Sequence, residues 1–132
     1  MDALRAADQL LTFKMTAKRL QRAIGLHRHL YAQSPKREVN GSGMHLVLSL
    51  KDSQGKNLFA DPADPLGLSL TARHFMAGIL NHMKEMTLLT NPTVNSYKRL
   101  VPGYDAPVYI AWSPSNSKSC LIRIPSPGGR GD

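Results

Sequence analysis

The residues able to do polar chemistry gather in three short strings. These are Asn40-Gly-Ser-Gly-Met-His45, the run Asn91-Pro-Thr-Val-Asn-Ser-Tyr-Lys-Arg-Leu-Val-Pro-Gly-Tyr-Asp-Ala-Pro107, and Leu121-Ile-Arg-Ile-Pro125. A neutral imidazole such as His45, held on a rigid strand, is a good ligand for Mg2+ or Mn2+ near phosphates, and the small residues before it let a substrate approach the backbone. The guanidinium of Arg99 is a planar fork that can bind two oxygens at once. Asp105 carries a carboxylate able to move a proton, and Arg123 a charge able to stabilise an anion. Each has an ordinary alternative: a packed or solvated histidine, a solvated arginine, a charge at a sheet edge, a plain turn at Asn40 and Gly41. Cys120, the single cysteine, lies in an apolar run and reads as a buried, inert thiol.

Helices and strands must position these strings. Asp2 can cap a helix reaching about Ile24, because Leu10, Phe13, Ala17, Leu20 and Ile24 recur at steps of three and four while Arg5, Lys14, Lys18 and Arg22 avoid that stripe; Gly25 ends it. Residues 26–32 read as a short strand and 34–38 as a polar loop. Residues 44–50 alternate strictly and predict a strand with Met44, Leu46, Leu48 and Leu50 on one side and His45, Val47 and Ser49 on the other. After a turn at 52–56 and a proline-containing loop at 61–65, Ser69 can cap a second helix to about Leu89, with Phe75, Met76, Ile79, Leu80, Met83 and Met86 as a core stripe. The stretch 91–105 reads as a long irregular loop of the kind that carries function. Two strands, 108–112 and 120–124, precede a Pro/Gly tail; on the second, Arg123 faces away from Ile122 and Ile124. The pattern predicts an α+β architecture of antiparallel strands packed with two long helices.

Composition narrows the function classes. The chain has 132 residues, 42% hydrophobic and 20% charged, which suits one folded domain and neither disorder nor a membrane class. No stretch approaches the roughly 18 apolar residues of a membrane span, and the N-terminus lacks a signal-peptide layout, so a cytoplasmic address is expected. The net charge of +8 suits anionic ligands, but the basic residues are spread thinly and aromatics make up 6%, which argues against a nucleic-acid surface. Nucleic-acid binding would instead show itself as strongly salt-dependent affinity.

In this order and spacing the three strings resemble the catalytic domain of class I glutamine synthetases, and the similarity runs through both helices across nearly the whole chain. Members of that family are several times longer, so the resemblance implies that residues 1–132 are part of such a catalytic domain, without the N-terminal domain and other catalytic segments. It also implies ATP-dependent ligation of glutamate and ammonia to glutamine through a γ-glutamyl phosphate, with ATP and Mg2+ or Mn2+, in a homo-oligomer. By the same resemblance His45 is a metal ligand, Ser49 lies on the nucleotide side, and Asn40, Gly41 and Arg99 hold glutamate. Arg123 stabilises the transferring phosphate, and Asp105 closes the site and takes a proton from ammonium.

Four positions depart from the family pattern. Val47 stands where many relatives carry a polar contact to ATP. Asp105 replaces a glutamate and shortens the reach by one methylene. Ser117 and Lys118 stand where relatives read Asn-Arg-Ser with one residue fewer, and Lys118 would keep positive charge near phosphate while losing the bidentate fork. The carboxylates that complete the metal site in the family are not in this stretch, so the isolated chain is expected to have no ligase activity. A ligase for a larger amine, or a catalytically silent homologue with a binding role, are the alternative readings of the parent protein.

Overall fold

The computed structural model describes residues 2–25, 43–115 and 117–125. The strand predicted at 26–32, the loop at 34–38, and Asn40 and Gly41 lie outside the described residues. The chain divides into two units, residues 1–31 and 32–132.

The first unit is built on helix α1, Ala3–Ala23. Asp2 caps it by accepting the Arg5 amide at 2.8 Å, which satisfies one of the donors a helix start leaves open. At the other end the Ile24 amide reaches the Leu20 carbonyl, and Gly25 takes the left-handed conformation at φ 69° that stops the helix. No residue of α1 is buried, and Phe13, Leu20 and Ile24 of the predicted stripe stand exposed.

The described part of the second unit begins with residues 43–50, which form no strand. This corrects the alternation-based expectation: a strand needs a neighbouring backbone to satisfy its ladder, and among the described residues this segment pairs only at its end, where the Leu50 carbonyl accepts the Leu58 amide at 2.7 Å beside the Lys51–Asn57 bridge. Its apolar side chains, from Met44 to Leu50, are exposed. The turn that follows is held by Asp52, whose Oδ1 accepts the amides of Gln54 and Lys56, each at 2.9 Å.

Asp64 organises the next loop. Its Oδ2 accepts the Leu66 and Leu68 amides at 3.0 and 3.1 Å, and its Oδ1 takes Nη2 of Arg73 at 2.6 Å. The amide of Leu68 chiefly, with Arg73 and Leu66, holds this carboxyl below its ordinary 3.8 against the opposing effect of desolvation. A carboxyl depressed in the folded state contributes stability that is present above its unfolded pKa and lost as pH falls through the lower folded value. Urea midpoints followed by circular dichroism should therefore fall as pH drops below 3.8, and Asp64→Asn should flatten that fall. An unchanged acid limb in Asp64→Asn would remove Asp64 from the account.

Helix α2, Leu70–Thr90, begins at Ser69, whose hydroxyl accepts the Ala72 amide at 3.1 Å and donates to the Leu58 carbonyl at 2.6 Å. The serine thus caps the helix and ties it to the preceding loop, where Phe59 and Phe75 meet with ring centroids 5.1 Å apart. The predicted core stripe is only partly covered: Ile79, Leu80 and Met83 are half-buried, Phe75 and Met86 exposed. Among the described residues the buried positions are Ala72, Ala106 and Ser113.

A short helix α3, Val94–Lys98, interrupts the stretch read as irregular. Thr93 caps it, its hydroxyl accepting the Ser96 amide at 3.2 Å. Strands β1, Tyr109–Ser113, and β2, Cys120–Arg123, then pair. The pairing is parallel, with Tyr109 opposite Cys120 and Ser113 opposite Arg123, which corrects the antiparallel expectation. Alternation assigns side chains to faces and leaves strand direction open, so the pattern could not decide it. Cys120 opens β2 half-buried, less enclosed than expected. The architecture is mixed α/β, and no described helix is long and apolar enough to cross a membrane.

Candidate functional site

The predicted site residues within the described segments all belong to the second unit, and short contacts connect most of them. Arg123, last residue of β2, reaches back to the segment before the first turn: its Nη2 lies 2.8 Å from Nδ1 of His45 and 3.5 Å from Nε2. Arginine has donors only, so Nδ1 of His45 is the acceptor in this contact.

Arg99 is the C-cap of α3, and its fork turns onto the loop that follows. Nη1 donates to the Tyr104 carbonyl at 3.0 Å and Nη2 to the Asp105 carbonyl at 3.2 Å. These bonds fall where the backbone is least relaxed. Asp105 has φ 53° and Gly103 φ 87°, and Asp105 is the described non-glycine residue with positive φ. Asp tolerates that region better than most residues, because its short polar side chain can bond locally.

Gly43 lies against the same guanidinium. A Cβ at Gly43 would meet Nη2 of Arg99 at 3.1 Å, so the absence of a side chain there lets the fork close over the backbone. Since Gly43 and His45 are almost adjacent in sequence, the Arg99 contact and the Arg123 contact meet on one short segment. Gly43 and Tyr104 were not singled out from sequence. The lack of side-chain bulk in the Gly-Ser-Gly turn was the available signal for the first; the second contributes only a carbonyl and gave none.

The remaining residues are placed less centrally. Lys118, expected near phosphate, sets Nζ 3.1 Å from Oδ2 of Asp105, both side chains about half exposed. Ser49 is exposed further along the 43–50 segment, and Val47 is 92% exposed. Asn40 and Gly41 lie outside the described residues.

The described residues do not make a metal site by themselves. No group of three or more His, Cys, Asp or Glu comes together among them, whereas Mg2+ and Mn2+ favour oxygen-rich ligand sets. His45 offers one ring, and its Nδ1 faces a guanidinium, which excludes a second cation from that nitrogen while the contact stands. What the arrangement does supply is positive charge held in place at Arg99 and Arg123, and at Asp105 a carboxylate paired with Lys118. That combination suits anionic substrates and a proton transfer.

Comparison with known proteins gives a consistent picture. The family model described as "Glutamine synthetase, catalytic domain" matches residues 1–132. A glutamine synthetase of Thermus thermophilus is 53% identical over 131 residues, covering 98% of this chain and 28% of that relative. Those of Thermotoga maritima and Halobacterium salinarum are 52% identical over 127 residues and 51% over 128 residues, covering 96% and 97% of the chain and 28% of each relative.

Proposed function

This chain belongs to the glutamine synthetase family through its catalytic domain, and we propose that it forms one wall of an active site that joins glutamate and ammonia at the expense of ATP. The chain spans about three-tenths of the length of the curated relatives it matches, so the activity is that of a protein of their full length. In this reading a γ-carboxylate oxygen of glutamate attacks the γ-phosphorus of ATP and ADP leaves with the bond's electron pair. Ammonia then attacks the carbonyl carbon of γ-glutamyl phosphate and phosphate leaves. Asp105 takes the proton that ammonium must lose, Arg123 balances charge on the transferring phosphoryl group, and Arg99 with Asn40 and Gly41 holds the amino-acid substrate. Ser49 faces nucleotide.

The observation that carries the reading is the meeting of distant stretches of chain. Arg123 bonds His45, Arg99 bonds the loop at Asp105, and Arg99 also lies against Gly43, beside His45. Positioning and charge stabilisation supply most of the catalysis of phosphoryl transfer, and they are what such an arrangement offers. An ion would draw on His45 together with oxygen ligands from other segments, and the steps assigned to this chain's residues do not run through it. A homo-oligomer is part of the same proposal.

The test is a coupled assay of the full-length protein with glutamate, ammonium, ATP and Mg2+. Glutamine and ADP should appear in equal amounts, and residues 1–132 alone should give neither. ADP release only with a larger amine would redirect the reading to another γ-glutamyl ligase. Absence of ATP binding by calorimetry would identify a silent homologue.

A further inference from the structure

Lys118 carries a compact ammonium group on the connection between β1 and β2. Its ammonium nitrogen lies 3.1 Å from Oδ2 of Asp105, within hydrogen-bond reach and slightly longer than the roughly 2.7–2.9 Å of a tight charge-assisted bond, on the carboxylate that an ammonium ion would use. We propose that Lys118 is a tethered occupant of the ammonium position on Asp105, a positioning residue that holds the carboxylate until the nitrogen substrate displaces it.

Three observations support this. First, the carboxylate belongs to a non-glycine residue with φ 53°, a conformation that surrounding contacts help to hold. Arg99 braces the main chain through the carbonyls of Tyr104 and Asp105, and Lys118 braces the side chain. Second, the pair is weak enough to yield. Lys118 and Asp105 side chains are 55% and 48% exposed, and such pairs contribute little and are screened by salt. Third, Lys118 sits on a short connection between β1 and β2, so it competes as a tethered group, at an effective concentration on the order of millimolar. A free ammonium ion at similar concentration can therefore replace it. Lysine suits this role better than arginine, because its compact charge resembles the ammonium it replaces.

The inference rests on the proposed ligase reading for its substrate and on the ion pair for its geometry, and the two are tested separately. In the full-length protein, hydrogen exchange of the peptide spanning 101–107 should rise in Lys118→Gln and in Asp105→Asn, while the double variant should exchange no faster than either single one. Additive or absent effects would overturn the pairing whether or not the protein is a ligase. In the ligase assay, Lys118→Gln should lower KM for ammonium by up to about fivefold and leave KM for ATP in place, and Lys118→Arg should keep a higher KM than Lys118→Gln. A rise in KM for ATP instead would mean that Lys118 serves the nucleotide, and the proposal would fall.

Discussion

Replacing Arg99 by alanine in the full-length protein lowers kcat/KM for glutamate by about 10²–10³-fold, and replacing it by lysine recovers no more than about tenfold of that loss. The expectation follows from how the guanidinium is used. Two of its N–H groups donate to consecutive carbonyls, those of Tyr104 at 3.0 Å and Asp105 at 3.2 Å. Hydrogen bonds from a charged donor contribute up to about 1.5–3 kcal/mol, less where water can replace the donor; the bond to Tyr104 is part-buried and that to Asp105 exposed. A lysine can satisfy one carbonyl in turn but cannot span both, since its single nitrogen has no fixed fork. Without the fork the positive φ at Asp105 loses its brace, and the carboxylate moves out of reach of a proton that must lie within about 3 Å. The loss should therefore fall on kcat as well as on KM. Steady-state kinetics of Arg99→Ala within about threefold of the parent would show that this bracing has no part in catalysis.

How much of this was readable beforehand depended on whether the signal was local. Asp2, Gly25 and Ser69 mark helix ends through bonds made within a few residues, and both long helices appear where those residues set them. Thr93 is the same kind of signal, but its helix is only Val94–Lys98, too short for apolar periodicity to register. Strand direction and partnership are not local. Alternation at 44–50 describes two faces of a strand whose described pairing is confined to its end at Leu50, and it could not reveal that β1 and β2 run parallel.

The site divides in the same way. The identities of His45, Arg99, Asp105 and Arg123 came from motif and spacing, because the resemblance is carried by residue types. Their contacts did not. That Arg99 would brace main-chain carbonyls, that Gly43 would lie under it, and that Lys118 would turn to Asp105 depend on where the backbone turns at Gly103 and Asp105. Positive φ at a non-glycine residue is seldom visible in a sequence.

Arg123→Lys should reduce kcat by about 10²–10³-fold with KM for ATP changed by less than about threefold. Arg123 ends β2, opposite Ser113, so its backbone is fixed by the strand pair while its side chain extends to His45. A charge held that way pays little reorganisation when the γ-phosphoryl group moves, and its benefit is greatest when negative charge is spread over the transferring oxygens. That is a transition-state interaction, which lowers kcat when lost and leaves ground-state binding nearly unchanged. Lysine keeps the charge but offers one point donor, so it cannot hold His45 and a phosphoryl oxygen in one plane. The 2.8 Å contact adds a second requirement. If His45 helps to orient the guanidinium, then His45→Ala and Arg123→Lys remove parts of one unit, and the double variant should lose less than the product of the two single losses. Losses that simply multiply would mean that the two residues act independently, and the shared wall formed by the first and third strings would have no catalytic meaning.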